Sequence, residues 1–157
     1  MRLSDFCCFE AMVPELQADD RNGVVVELVS LLEQAGKLGK AGSTEIQKEI
    51  IKREKEASTG MGKGVAVPHI KHKSIKHVAA AIGLSRDGID FSALDKQPVY
   101  SVILLVSPLD NPEQHLKAME SIFKHLQKEK FRNFLRQCRT PEQITDLIQE
   151  ADDDPSL

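Results

Sequence analysis

Apolar positions along the chain change their period several times, and each change marks a new element. Val25, Leu28, Val29 and Leu32 recur at helical spacing between Val24 and Ala35, and Gly36 is the expected stop. Gly39-Lys40-Ala41-Gly42 reads as a turn. Thr44 then opens a second helix with Gln47 in the capping-box position, and Ile46 and Ile50 form its buried edge. That helix runs out near Arg53-Glu54-Lys55-Glu56. Val65-Ala66-Val67 is a short buried strand ended by Pro68, which has no ladder donor to offer. Val78–Leu84 reads as a buried strand, Asp87-Gly88 as a turn, and Ile89-Asp90-Phe91 as a short strand or bulge. The strongest strand pattern is Val99–Val106, closed by Ser107-Pro108. Every position from Val102 to Val106 is apolar, which predicts a central strand covered on both faces.

The flanks are read the same way. The first twenty residues lack a clean period, and Met12-Val13-Pro14 with Leu16 is read as a short edge strand. After the central strand, Asn111 at N-cap, Pro112 at N1 and Gln114 at N3 agree on a helix start. Met119, Ile122 and Leu126 follow His115 at helical spacing. Two further helices are expected, one lined by Phe131, Phe134, Leu135 and Cys138, the other capped by Thr140 and burying Ile144, Leu147 and Ile148. The acidic tail, residues 150–157, is expected to fray. With no internal repeat and no linker, residues 1–157 are read as one domain.

Composition narrows the function more than the fold. The 157 residues are 41% hydrophobic and 29% charged, an ordinary soluble balance with enough chain for a real core. A net charge of −3 argues against a nucleic-acid binder, and one tyrosine with six phenylalanines leaves little for base stacking. No apolar run is long enough to insert in a membrane, and Met1-Arg2-Leu3-Ser4-Asp5 lacks a signal-peptide core. Cys7, Cys8 and Cys138 have no C-x-x-C spacing, so reduced thiols and a cytoplasmic location are expected. Between Lys52 and His77, seven basic side chains oppose two glutamates, so this segment is positive in an acidic chain. Such asymmetry favours an anionic substrate or an acidic protein partner.

The candidate chemistry lies in that positive segment. Ser58-Thr59-Gly60-Met61-Gly62-Lys63-Gly64 leads through the short strand to Pro68-His69. By spacing alone the glycines are either an ordinary turn or a loop whose backbone amides approach an anion closely, and neutral imidazole is an abundant nucleophile near pH 7. A histidine beside free amides suits transfer of an anionic group such as phosphoryl. The run is no Walker A, since Gly64 follows Gly62-Lys63, and no dinucleotide fingerprint, since it leads into a strand. Nucleotide cofactors are therefore disfavoured, and none is expected. His115 sits in the first turn of its helix, where a neutral ring could donate to a phosphoryl oxygen or simply line the core rim. Arg53 is either a solvated helix-end charge or a phosphate partner. His72 and His77 could suggest metal ligation. No carboxylate or thiolate is close in sequence, so they are expected to be exposed loop side chains and no metal is expected.

Together these residues resemble the enzyme IIA domain of the fructose/mannitol and nitrogen-regulatory branch of the bacterial phosphoenolpyruvate-dependent phosphotransferase system. The resemblance rests on Arg53-Glu54, Ser58-Thr59-Gly60-Met61-Gly62-Lys63-Gly64, Val65-Ala66-Val67-Pro68-His69 and His115-Leu116, and reaches back to Leu3-Ser4-Asp5-Phe6. It implies an α/β fold, a mixed sheet sandwiched between helices. His69 would accept phosphoryl through Nε2 from an HPr-like protein and pass it to an enzyme IIB. His115 would hydrogen-bond the phosphoryl oxygens, Arg53 would balance charge, and Thr59, Gly60, Gly62 and Gly64 would line the phosphate loop. In-line transfer asks mainly for positioning and charge stabilisation, so no metal is needed. Lys63, Lys71, His72 and Lys73 make the rim unusually basic for the family. No IIB or membrane portion lies within these residues, so the carrier would act in trans. Two uses of one site remain open: phosphoryl relay in sugar or polyol uptake, and control of a target protein through the phosphorylation state of His69.

Overall fold

The computed structural model describes residues 1–157. Its plan follows from side-chain alternation on two long strands. Along β6 (Val99–Pro108), Ile103 and Leu105 face one way while Val102, Leu104 and Val106 face the other, and both sets are buried. On β5 (Ala79–Ile89), Ala80, Ile82 and Leu84 share the first side, and Ala79 and Ala81 the second. Each side needs a cover. Helices α1 (Arg21–Gln34) and α2 (Gly42–Glu56) close one, with Val25, Leu28, Leu32, Ile46 and Ile50 fully buried. Helices α3 (Pro112–Leu126), α4 (Glu129–Gln137) and α5 (Pro141–Asp153) close the other through Ile122, Phe131, Leu135, Ile144 and Ile148. This is the expected α/β fold, a mixed sheet between helical layers.

The remaining strands are β1 (Cys7–Val13), β2 (Gly60–Gly62), β3 (Val65–Ala66) and β4 (His69–His72). The sheet runs β1-β5-β6-β3-β2, and β4 continues beside β6 beyond β3. β5 is antiparallel to β6, while β1 is parallel to β5, and β3 and β4 are parallel to β6. The central position expected for Val99–Val106 is the one observed.

Several local expectations are corrected. The edge strand begins at Cys7, well before Met12, and ends at Val13. Helix α2 begins at Gly42, and no side chain caps it from its own N-cap. The Glu33 carboxylate reaches over from α1 and accepts from Ser43 N at 2.6 Å, doing the work assigned to a Thr44–Gln47 box. Asp87-Gly88 is a bulge inside β5, where the register with β6 shifts between Leu84 and Ile89. His72 is no loop residue: it ends β4 opposite Pro108 and is 5% exposed. Nor does the tail fray. Asp152 accepts from Leu3 N and Ser4 N at 2.7 and 3.0 Å, and Leu157 is buried with its oxygen held by His125 Nδ1 and Lys128 Nζ. The acidic residues there serve the N-terminal backbone, which composition alone does not reveal. The caps of α3 and α5 form as expected: Asn111 Oδ1 accepts from Gln114 N, and Thr140 Oγ1 from Gln143 N.

Candidate active site

Pro68 ends the link from β3, and its carbonyl accepts from Leu105 N at 2.9 Å, which launches β4 along β6. His69 and Ile70 pair with Leu105 and Val106, so residues of β4 inherit the faces of β6. His69 and Lys71 therefore turn to the α3 side, Ile70 and His72 to the α2 side. The His69 ring is partly exposed, and its Nδ1 lies 2.7 Å from Val67 O. A carbonyl oxygen only accepts, so Nδ1 carries the proton and Nε2 keeps a free lone pair.

The second imidazole arrives from the other direction. Ser107 follows Val106 on β6, is fully buried and faces α3, where its Oγ lies 2.7 Å from His115 Nδ1. No other partner takes the Ser107 hydroxyl proton, so the satisfied arrangement has Oγ–H donating to Nδ1. His115 Nε2 then carries the ring proton. The His69 and His115 ring centroids are 5.6 Å apart with planes inclined at 42°. One ring offers a lone pair, its neighbour a donor. Burial, with His69 and Lys71 nearby, pushes the His115 pKa down to about 4, so the ring is neutral at pH 7.

That shift has a stability consequence. Between about 4 and the ordinary 6.5, the unfolded chain binds a proton at His115 that the folded chain does not. Stability therefore falls as pH drops through that window, by about 1–2 kcal/mol once solvent screening of a partly exposed ring is allowed for. Urea unfolding of His115→Gln against the parent should show the parent losing more stability between pH 7 and pH 4.5. Parallel losses would contradict the assignment.

The glycine run is a β-hairpin rather than a cradle. Gly62 and Lys63-Gly64 turn the chain at φ +91°, +60° and +76°, and Gly60 pairs with Ala66. Gly64 O accepts from Tyr100 N and Ser101 N, at the start of β6. Ser101 lies four positions before Leu105, the partner of His69, roughly 13 Å along β6 at about 3.3 Å per residue. Gly62 and Gly64 thus stand away from the imidazole pair, and the turn itself explains them. Gly60 has a packing reason of its own: a Cβ there would lie 2.8 Å from that of Ala93, and its N–H donates to Ser58 Oγ. Thr59 is nearer, since its carbonyl accepts from Val67 N at 3.3 Å, but its N–H and hydroxyl both donate to Glu54. Arg53 is exposed in the last turn of α2, where its guanidinium donates to Ala57 O at 3.1 Å and not to either imidazole.

Glu54 and Ser107 have no place among the sequence-based expectations. Glu54 is 2% exposed, and a buried carboxylate demands the partners Thr59 supplies. Its one signal in the sequence is the charged pair Arg53-Glu54. Ser107 looks in the sequence like a strand end, and its eight-residue separation from His115 is the only hint of their contact.

A family model described as "Phosphoenolpyruvate-dependent sugar phosphotransferase system, EIIA 2" matches residues 9–151. The "PTS system fructose-specific EIIABC component" of Bacillus subtilis is 30% identical over 152 residues, covering 97% of this chain and 24% of that protein. The chain thus spans about a quarter of that relative's length. A "Nitrogen regulatory protein" of Bradyrhizobium diazoefficiens is 28% identical over 94% of this chain and 95% of its own. Among solved structures, the nitrogen regulatory protein IIA-Ntr from Neisseria meningitidis superposes with a TM-score of 0.84 at 23% identity, covering 93% and 98% of the two chains. By the match over residues 9–151, the chain belongs to the EIIA 2 family of the phosphoenolpyruvate-dependent sugar phosphotransferase system.

Proposed function

We propose that the chain is a phosphocarrier in which His69 takes a phosphoryl group from an HPr-like donor and passes it to an enzyme IIB. The observation that carries this reading is a pair of imidazoles with ring centroids 5.6 Å apart, each with its Nδ1 engaged, His69 by Val67 O and His115 by Ser107 Oγ, which leaves both Nε2 atoms for a ligand. In the transfer, the His69 Nε2 lone pair attacks phosphorus in line, and the bond to the donor's imidazole breaks. The electron pair of that bond leaves with the donor ring, which takes a proton from water and departs as neutral imidazole. His69 keeps its Nδ1 proton on Val67 O throughout. His115 Nε2–H donates to a phosphoryl oxygen, and Lys71, on the same face of β4, contributes positive field. Leu109 and Leu116 are 55% and 57% exposed on either side of the start of α3, apolar surface suited to a protein donor and acceptor. No helix is long and apolar enough to cross a membrane. With phosphoenolpyruvate, enzyme I and the HPr-like donor, the chain should gain one acid-labile, base-stable phosphoryl group; no uptake would refute the reading.

A second use of the same site has its own support. The Bradyrhizobium relative, named for nitrogen regulation, matches nearly end to end. In that reading phosphorylation changes the charge at His69 and thereby the choice of bound protein. Affinity capture with phosphorylated and unphosphorylated chain separates the two. Relay predicts an enzyme IIB that removes the label, whereas regulation predicts a target retained in one state only.

A further inference from the structure

Glu45 and Glu49 stand one turn apart on α2, a spacing at which like charges repel, and neither has a lysine or arginine partner. Their side chains are 49% and 45% exposed, so both remain reachable from solvent. Facing them from β4 is His72, whose side chain is only 6% exposed. Its Nε2 is 3.4 Å from Glu45 Oε1 and 3.8 Å from Glu49 Oε2. Charge-assisted hydrogen bonds are shorter, about 2.7–2.9 Å. Ligand atoms on a tetrahedral zinc ion, by contrast, lie roughly 3.3–3.6 Å apart when each bond is about 2.0–2.2 Å. All three ligand atoms lie within 4.8 Å of one another.

The far side of the ring matters as much. His72 Nδ1 is 2.8 Å from Ser74 Oγ, which in turn is 2.9 Å from Leu38 O. A relay from Nδ1–H to Oγ–H to the Leu38 carbonyl leaves the Nε2 lone pair pointing at the two carboxylates, the outer-sphere support that metal-bound histidines use. Ser74 N–H, 3.0 Å from the same Nδ1, favours the opposite tautomer, so a cation would select between them.

We propose that Glu45, Glu49 and His72 form a binding site for a zinc-class divalent transition metal, with water completing four-coordination. One imidazole with two carboxylates suits such an ion better than magnesium, which prefers six oxygens. His69 and His72 lie on opposite faces of β4, so the ion would not touch the imidazole pair. It would clamp α2, which ends in the turn carrying Arg53, to the strand carrying His69. This site does not depend on the phosphocarrier reading.

The test is calorimetric titration of the full chain with ZnCl2, with MgCl2 as comparison and Co2+ as a visible-spectrum probe. Because His69 and His115 could also take zinc, the titration is repeated in His69→Gln. One zinc equivalent is expected to persist there, with a tetrahedral cobalt spectrum, and Mg2+ should not compete. Glu49→Gln, at an exposed position that leaves folding intact, should bind that zinc at least tenfold more weakly, and so should His72→Gln. Zinc should raise the melting temperature of the parent but not of Glu49→Gln. The proposal is overturned by absence of zinc uptake in His69→Gln, or by unchanged affinity in both site variants.

Discussion

His69→Gln should cut phosphoryl uptake from a phosphorylated HPr-like donor at least about a thousandfold, the scale of losing a nucleophile. Glutamine approximates the volume of the ring and can still donate its amide to Val67 O, which His69 Nδ1 meets at 2.7 Å. What it lacks is a basic sp2 nitrogen with a free lone pair. Folding should hardly change, because His69 is partly exposed at the end of the link from Pro68 and β4 pairs through its backbone. Circular dichroism and the urea midpoint check that point, and radiolabelled uptake checks the chemistry. Label retained at parental rate in His69→Gln would move the acceptor elsewhere.

The second large effect is on stability and reaches the site indirectly. Glu54, in the last turn of α2, accepts from Thr59 N at 3.1 Å and Thr59 Oγ1 at 2.5 Å. Thr59 O accepts from Val67 N at 3.3 Å, and Val67 O orients His69. A hydrogen-bonded path thus runs from the buried carboxylate to the imidazole. Glu54→Ala removes both acceptors, strands the Thr59 amide and opens a void, for an expected loss of about 2–4 kcal/mol. Uptake should slow by roughly tenfold as Val67 loses its fixed position. Glu54→Gln, which keeps one acceptor oxygen, should fall between. An unchanged urea midpoint in Glu54→Ala would mean that the carboxylate is not holding the turn. Parental uptake despite a lowered midpoint would detach the path from the site.

These effects divide along the line between local and distant information. The caps at Asn111 and Thr140 lie within three residues of the amides they satisfy, so they were legible. The central strand was legible too, because a strand covered on both faces needs apolar residues at every position. β4 was not, since His69-Ile70-Lys71-His72 alternates without an apolar majority and is held as a strand only by β6, over thirty residues away. His72 looks like a loop residue for that reason, and its carboxylate neighbours come from α2, not from the adjacent sequence. In the sequence the glycine run stays open between a turn and a phosphate cradle, because glycines that make a turn and glycines that admit a ligand look alike. Its register against β3 and β6 decides for the turn at Gly62 and Gly64. The pair His69 and His115 is expected from the resemblance and from helix position. Their meeting depends on Ser107 and on the order of strands around β6, neither of which the local pattern encodes.

The central claim is that Val67 O fixes the His69 tautomer and leaves Nε2 to form the N–P bond. Nitrogen-15 and phosphorus-31 NMR of the phosphorylated, ring-labelled protein tests it directly. The expected spectrum shows phosphorus coupled to Nε2 of His69, with the proton retained on Nδ1. Phosphorus on Nδ1, or on any other residue, would contradict it.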